Sequence, residues 1–355
     1  MRAHGSAAVA FFLALSLHGI ALAEGKDAPI RIPRVTGLTT VASVAEQQGD
    51  YESIGYYDPV TPDFYRVTAR AEVRDPTGTG TREIIVSRKV PIADQRNART
   101  MRPRFNMGEP QVFSGTTPGV SSAIVRDLRT TGTAAMSFVD SRMIFIMPVA
   151  RTLKGDISRV GTGTEAFTVV VNGRRVDLRV LHAKGRLGDA EGSYEFEFRI
   201  LDDVDNPLVL SSSGLDFSTR TTRIEYPVPD NDPTSIERTL AANQPIDIYG
   251  IYFAFSSATL RPESDRVLME VADLLKKHPD WKLQIDGHTD NIGGDPANLE
   301  LSRRRAAAVK AALAQRYAIA GDRLATGGFG AGRPKDTNET IEGRALNRRV
   351  ELRRQ

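Results

Sequence analysis

The 355-residue sequence contains no cysteine and only one tryptophan. Disulfides, thiolate metal sites and a cysteine nucleophile are therefore excluded. The formal net charge is +3, and no block of five or more lysines and arginines occurs, so the charge pattern gives no support for nucleic acid as a partner. After the first 23 residues no apolar stretch reaches 18 residues, which predicts a mature chain without a membrane-spanning helix.

What is present is an ordinary globular composition, with 40% hydrophobic and 26% charged residues. The chain is long enough for two domains. The overall fold class predicted below is α+β, with a β-rich region followed by a smaller α/β region.

The first residues have the pattern of an export signal. Arg2 supplies the positive start, residues 7–17 are apolar, and Ala21-Leu22-Ala23 matches a small-residue cleavage site. We expect residues 1–23 to be removed near Ala23 and the mature protein to reach the periplasm. The alternative is a transmembrane anchor, but the apolar core is short for a bilayer and His18-Gly19 interrupts it.

Residues 24–226 have the pattern of a β-rich, sandwich-like domain. Asn172-Gly173 separates two alternating apolar runs, which is the strongest short signal for a β-hairpin. Residues 194–200 alternate between apolar and charged side chains and predict a half-buried strand. Ile84-Ile85-Val86 is a continuous apolar run that suits a strand covered on both faces. A short helix is predicted from Ser121 to Leu128.

Two interpretations of this β-rich region compete. One is a β-sandwich in the periplasm, and the other is a transmembrane β-barrel that would make the protein porin-like. A barrel needs about eight alternating segments flanked by aromatic girdles. The sequence supplies two or three good segments and no tryptophan before Trp281, so the sandwich is the prediction.

A polar, proline-rich stretch from Pro227 to Pro233 predicts a linker, placed at residues 227–244. The second predicted domain covers residues 245–355. Its predicted strands and helices alternate in the order βαβαβ(α)β, which is typical of a small α/β sandwich. The strands are expected near 246–253, 281–285, 323–326 and 350–352; the helices are expected from Pro262, from Asp295 as N-cap with Pro296 next, and at 341–345.

The most informative motif of this second domain is Gly287-His288-Thr289-Asp290. It places a carboxylate on a tight loop before a helix, and Arg305 shares a face of that helix with Asn298. A helix N-terminus and a guanidinium both favour a bound carboxylate, while Asp290 suits an ammonium group. The pattern therefore predicts a site for a zwitterion.

Residues 245–354 resemble the OmpA-like peptidoglycan-binding domain. The resemblance depends on ordered motifs at residues 251–260, 287–290, 298–306, 328–330 and 343–351. It implies binding of the peptidoglycan peptide stem through diaminopimelate, with no cofactor or metal. Carried over position by position, it implies Asp290 and Arg305 as the anchoring residues. The other residues that it places around the pocket are Thr289, Asn291, Asn298 and Arg349.

The sequence departs from the family at Ala254 and Ser256, where the family usually has Asp and a further Asp or Asn. Of the adjacent pair Arg348-Arg349, we expect Arg349 to face the pocket and Arg348 to point outward. His288 could be a metal ligand or a base, but a second histidine at matching spacing is absent. We therefore interpret it as a loop or packing residue.

The predicted function is non-enzymatic attachment of an envelope protein to peptidoglycan in a Gram-negative cell, in the periplasm next to the outer membrane. Other envelope proteins are candidate partners of the N-terminal region. A wall hydrolase using Ser302 is an alternative, although no Gly-x-Ser-x-Gly elbow surrounds that serine. A stator-like or secretion-machine component is another, although it would need a membrane helix after the signal.

Overall fold

The computed structural model describes residues 30–46, 51–74, 81–103, 111–112, 114–144, 147–227, 235–254 and 256–355. The predicted export signal and its cleavage site lie outside the described residues, as do residues 228–234 of the predicted linker. Residues 31–355 form one unit, and everything below concerns that unit.

Most of the N-terminal region is a single hydrogen-bonded sheet. Thirteen of its strands fall within the described residues: β1 (Thr39–Glu46), β2 (Tyr51–Val60), β3 (Phe64–Arg74), β4 (Thr81–Pro91), β5 (Thr100–Met101), β6 (Gln111–Val112), β7 (Thr133–Ile144), β8 (Met147–Arg159), β9 (Glu165–Val171), β10 (Arg174–Asp189), β11 (Gly192–Leu201), β12 (Val209–Gly214) and β13 (Phe217–Glu225). The main path runs β5-β7-β8-β10-β11-β12-β13-β1-β2-β3-β4-β6, and β9 pairs with β10 and β13. The predicted β-rich character is confirmed, with the strands joined in one sheet.

Several local predictions for this region are confirmed. Strands β9 and β10 form the expected hairpin, in which Val171 pairs with Arg174. Asn172 and Gly173 both have positive φ, as a two-residue turn of this kind requires. Two helices accompany the sheet, α1 (Ile92–Asn97) and α2 (Ser122–Thr130). The hydroxyl of Ser121 caps α2 by accepting a hydrogen bond from the Ile124 N–H.

The core of the N-terminal region is aromatic and aliphatic. Phe138, Phe196 and Phe198 are buried together, with ring centroids of Phe138 and Phe196 4.8 Å apart. The predicted alternation of β11 is thereby confirmed. The expectation that residues 84–86 are covered on both faces is wrong, because Ile85 keeps 47% of its surface exposed: β4 has one outward face at this point.

Apart from α3, which lies within the stretch predicted as a linker at residues 227–244, the C-terminal region alternates helices and strands in the predicted order. The elements are α3 (Ser235–Ala241), β14 (Ile246–Ile248), α4 (Asp265–Lys277), β15 (Leu283–Gly287), α5 (Asp295–Tyr317), β16 (Leu324–Gly328), α6 (Ile341–Asn347) and β17 (Val350–Arg354). The sheet order is β14-β17-β15-β16. Strands β15 and β16 are parallel, whereas β17 is antiparallel to both of its neighbours.

Three predicted boundaries are wrong by a few residues. The helix expected from Pro262 begins as a 3-10 turn, and α4 starts at Asp265. The first strand is shorter than expected, because Phe253 makes only an isolated bridge to Leu260. Asp295 is the first residue of α5 and Gly294 is the N-cap, with no side-chain cap, because the two preceding glycines turn the chain into the helix one residue earlier.

A single hydrophobic cluster holds the C-terminal region together. Leu268 and Val271 of α4, Ile285 of β15 and Leu313 of α5 are all buried in it. Trp281 joins the same cluster with 6% of its surface exposed.

No helix within the described ranges combines the length and the apolar character that a bilayer crossing would need.

Candidate functional site

The candidate site lies where β15 ends and the chain turns towards α5. Backbone hydrogen bonds fix the start of this turn: the His288 N–H donates to the Arg349 carbonyl and the Thr289 N–H to the Gly330 carbonyl, each at 3.0 Å. Strand and helix approach closely here, because a Cβ on Gly287 would lie 2.2 Å from the Ser302 carbonyl oxygen. Glycine at 287 therefore allows α5 to begin directly beside the strand end.

Asp290 is held at the centre of this turn with 8% of its surface exposed. Its Oδ1 accepts a hydrogen bond from the Ile292 N–H at 3.0 Å. Its Oδ2 accepts one from the Arg348 guanidinium at 2.6 Å. The carboxylate is thus oriented by its own loop on one oxygen and paired with a cation on the other.

Asn298, in the first turn of α5, holds the loop of residues 290–292 in place. Its side-chain Nδ2 donates to the carbonyls of Asp290 and Ile292, at 3.0 Å in each case. Both protons of the amide are used in this way, and the residue is buried at 4% exposure. The structure therefore places Asn298 as the support of the loop that carries Asp290.

Arg305 lies about two turns further along α5. Its Nε donates to the Ser257 carbonyl at 3.0 Å, and its guanidinium carbon is 4.9 Å from the centre of the Phe253 ring. Burial, followed by the positive charge of Arg348, lowers the pKa of Arg305 to about 10. The group remains charged at neutral pH, and in the described structure Asp290 pairs with Arg348 and not with Arg305.

Ser257 belongs to the turn that contains both departures from the family pattern. The Ala254 N–H donates to the Thr259 carbonyl, and the Ser257 N–H donates to the Ala254 carbonyl. Ser256 has a φ of +48°. This turn presents the Ser257 backbone carbonyl to Arg305.

The two adjacent arginines after α6 lie on different sides. Arg348 contacts Asp290 and, through its other terminal nitrogen, Glu52 of β2 at 2.8 Å. The prediction that Arg348 points outward is wrong. Burial alone would lower the pKa of Arg348, but the two carboxylates outweigh it and raise that pKa.

Arg349 lies on the other side, with 4% of its side chain exposed. Its Nε donates to Asp247 at 2.7 Å, and two further nitrogens lie 3.3 Å from the Arg333 carbonyl. Its role as a ligand contact stays a prediction. Successive residues of an extended chain face opposite ways, so the sequence showed that the two arginines diverge but not which one reaches Asp290.

The remaining predicted pocket residues flank Asp290. The Thr289 hydroxyl is buried and, among the described residues, has no hydrogen-bond partner. Asn291 is exposed on the loop. Thr289 therefore offers an unused donor and acceptor next to the carboxylate.

His288 and Ser302 are used in packing. The His288 ring stacks on Phe329 with centroids 5.4 Å apart, and burial, followed by the charge of Arg349, lowers its pKa from 6.5 to about 4. The Ser302 hydroxyl donates to the Leu299 carbonyl at 2.8 Å and accepts from the Gly330 N–H at 2.9 Å. Within the described residues no cluster of three or more histidines and acids could hold a metal ion.

Taken together, the site is a buried carboxylate at the start of a helix with two guanidiniums close to it. One of these, Arg305, is buried, and its Nε donates to a backbone carbonyl. Such a set can bind a group that carries both an ammonium and a carboxylate.

Comparison with known proteins agrees with this geometry. Residues 252–348 match the OmpA family, so the chain carries an OmpA family domain in a range that includes Asp290, Arg305 and Arg348. The family match covers the C-terminal region only.

Two curated relatives illustrate the similarity. Outer membrane porin F of Pseudomonas aeruginosa is 40% identical over 101 residues, 28% of this chain and 29% of that protein. Peptidoglycan-binding protein ArfA of Mycobacterium tuberculosis is 45% identical over 102 residues, 29% of this chain and 31% of that protein. The chain therefore spans less than a third of the length of each of these relatives.

Among solved structures, the peptidoglycan-associated lipoprotein from Burkholderia pseudomallei is similar over 35% of this chain and 100% of that chain, with 28% identity and a TM-score of 0.30.

Proposed function

We propose that the C-terminal region binds peptidoglycan non-covalently through the diaminopimelate of its peptide stem, and so attaches the protein to the cell wall without catalysis. The observation that carries the proposal is the oriented Asp290 carboxylate with Arg305 and Arg348 close to it. The 45% identity with a protein named for peptidoglycan binding supports the same assignment.

In this proposal each end of the zwitterion has a partner. The ammonium binds the Asp290 carboxylate, whose Oδ1 is already fixed by the Ile292 N–H. The carboxylate binds the Arg305 guanidinium on α5, which can donate two parallel hydrogen bonds to it. In this proposal the ligand also bonds the Thr289 hydroxyl, which is buried and has no hydrogen-bond partner among the described residues.

The affinity of a single site should be modest. Charge-assisted hydrogen bonds contribute about 1.5–3 kcal/mol each, so two of them with some loop contacts give an affinity in the range of micromolar or weaker. A wall polymer presents many identical stems, and neighbouring contacts add avidity. A modest affinity per site combined with avidity suits a protein that stays at the wall but can exchange one stem for another.

The location that follows is the periplasm, at the wall and next to the outer membrane, after removal of residues 1–23. Other envelope proteins are the proposed partners of the N-terminal region.

Co-sedimentation of the purified protein with sacculi tests this function. Asp290→Asn and Arg305→Ala are each expected to abolish sedimentation while the far-UV circular dichroism is unchanged. Arg304→Ala is the matched control, because Arg304 lies on the same helix with 55% of its side chain exposed and faces Glu300 at 3.9 Å. Retained sedimentation in an Asp290→Asn/Arg305→Ala double variant would refute the assignment.

The stem chemistry is tested separately. Sacculi whose stems carry lysine in place of diaminopimelate offer an ammonium without the adjacent carboxylate, so they should sediment the protein far less. Free diaminopimelate should compete with the normal sacculi. Equal binding to both kinds of sacculi would preserve wall binding but exclude diaminopimelate as the recognised group.

A further inference from the structure

The N-terminal sheet reaches the candidate site through Glu52, near the start of β2. The Glu52 carboxylate accepts from the Arg348 guanidinium at 2.8 Å. Arg223 of β13 approaches the same carboxylate at 3.3 Å. Because Arg348 also holds Asp290, a single guanidinium joins the two carboxylates, one from each region of the chain.

The charges within the C-terminal region alone are unequal. Asp290 is one carboxylate facing two guanidiniums, those of Arg305 and Arg348. The ion pair of Asp290 is with Arg348, whereas Arg305 donates to the Ser257 carbonyl and interacts with Asp290 only electrostatically among the described residues. Glu52 supplies the missing negative charge, since it interacts electrostatically with both Arg348 and Arg305.

Glu52 is firmly ionised in this arrangement. Burial alone would raise its pKa, but Arg348, Arg223 and Arg305 outweigh burial and lower the pKa to about 2. A carboxylate of a bound ligand that approached Arg305 would therefore lie close to a second, permanently charged carboxylate. Two carboxylates close to the same guanidinium repel each other, so the ligand carboxylate and Glu52 would not be accommodated together.

We propose that Glu52 acts as an internal substitute for the ligand's carboxylate, so that the N-terminal sheet and the wall peptide compete for the same arginines. The contact is autoinhibitory: binding of a stem requires β2 to move away from the site. This inference rests on the proposed function and adds to it a closed state in which the site is covered by the protein's own chain.

The rest of the contact between the two regions fits a surface that can separate. Its apolar part within the described residues is a small cluster of Val41, Ile54 and Tyr252. Around it are ion pairs that cross between the regions, including Arg70 with Glu263 at 2.7 Å and Arg266 with Glu225 at 3.0 Å. A largely ionic contact of this kind can be replaced by water and salt more readily than an apolar core.

The first test compares Glu52→Gln with the unaltered full-length protein in the sacculus assay and in titration with free diaminopimelate. The variant keeps the shape of the side chain and removes its charge, so affinity is expected to rise about tenfold. Glu195→Gln is the control, because Glu195 has 83% of its side chain exposed and pairs only within the N-terminal sheet, with Arg186. Equal affinity of Glu52→Gln and the unaltered protein overturns the inference and leaves the proposed function intact.

The outcomes separate the two claims. Binding by Glu52→Gln alone supports both the function and a strong block by Glu52. Failure of both proteins to bind, with normal circular dichroism, overturns the proposed function and this inference with it.

A cross-link tests whether the two regions must separate. Arg220 of β13 and Glu342 of α6 form an ion pair across the contact at 2.6 Å, with 30% and 39% of their side chains exposed. The chain has no cysteine, so Arg220→Cys/Glu342→Cys introduces the only two thiols. Joined by a short thiol-cleavable bismaleimide, this variant should lose sacculus binding and regain it after cleavage.

The matched control is the same double variant with each thiol capped by N-ethylmaleimide, which should bind throughout. Undiminished binding by the cross-linked form would show that the site is accessible while the regions are in contact, and would overturn the inference.

Discussion

Several ion pairs of the N-terminal sheet lie along exposed strand faces, whereas several of the C-terminal region lie inside the fold. Arg186 and Glu195 face each other across β10 and β11 with 61% and 83% of their side chains exposed. Arg349 and Asp247 have only 4% and 10% exposed. Exposed ion pairs contribute little to the stability of the fold, while breaking a buried ion pair leaves an uncompensated buried charge and is strongly destabilising. The comparison teaches that exposed ion pairs add little to the stability of the first region, whereas buried ion pairs hold neighbouring elements of the second region in place.

The largest expected effect is the loss of the buried pair. Arg349→Ala should lower the free energy of unfolding by about 3 kcal/mol, because Asp247 loses its buried partner. The loss is expected at the lower end of the usual range since Lys335 also pairs with Asp247, at 2.7 Å. Urea denaturation followed by circular dichroism measures it, and Arg349→Lys should fall between.

This variant also tests the role that the family resemblance implies for Arg349. If Arg349→Ala leaves the stability unchanged and abolishes sacculus binding, the residue is a ligand contact and the comparison of buried and exposed charge loses its clearest case.

The second effect concerns His288, whose pKa is lowered from 6.5 to about 4 in the fold. The unfolded chain therefore binds more protons between these values. The stabilising contribution is complete above about pH 6.5 and declines as the pH falls towards 4. Between pH 6.5 and pH 5 the loss should be about 2 kcal/mol, at 1.36 kcal/mol per unit.

Other groups titrate in the same range, so the measurement is a difference. Urea unfolding at each pH gives the free energy of unfolding. Its decrease from pH 6.5 to pH 5 should be smaller by that amount in His288→Phe, which keeps a ring against Phe329. An equal decrease in the variant would mean that His288 titrates normally in the folded state.

The smallest effect should come from the exposed pair. A double-mutant cycle on Arg186→Ala and Glu195→Ala is expected to give a coupling of at most about 0.5 kcal/mol, since solvent screens both groups. Raising the salt concentration should remove whatever coupling is found. A coupling as large as the Arg349 effect would contradict the difference between the two regions.

Much of the local structure could be predicted because it depends on neighbours in sequence. Helix α2 and its cap at Ser121 follow from side chains that bond backbone three residues away. The turn at Asn172-Gly173 follows from the backbone conformations that those residues adopt readily. The alternating order of the C-terminal elements follows from the change in hydrophobic period.

The wrong predictions depend on backbone conformations that the sequence permits without requiring and on packing beyond the local segment. Asp295 was expected to cap α5, but the position of the turn is set by Gly293 and Gly294, whose positive φ values the sequence permits without requiring. Ile85 was expected to be covered on both faces, which only the neighbouring layers could decide.

Periodicity and residue types within a few positions are enough to predict most elements of the C-terminal region and the loop that carries Asp290. The packing of the two regions is what brings Arg348, rather than Arg349, to that carboxylate and adds Glu52 to the pair. The pair of Glu52 and Arg348 is separated by 296 residues, and no local rule of spacing or propensity acts over such a distance: it exists because a sheet and an α/β layer pack against each other.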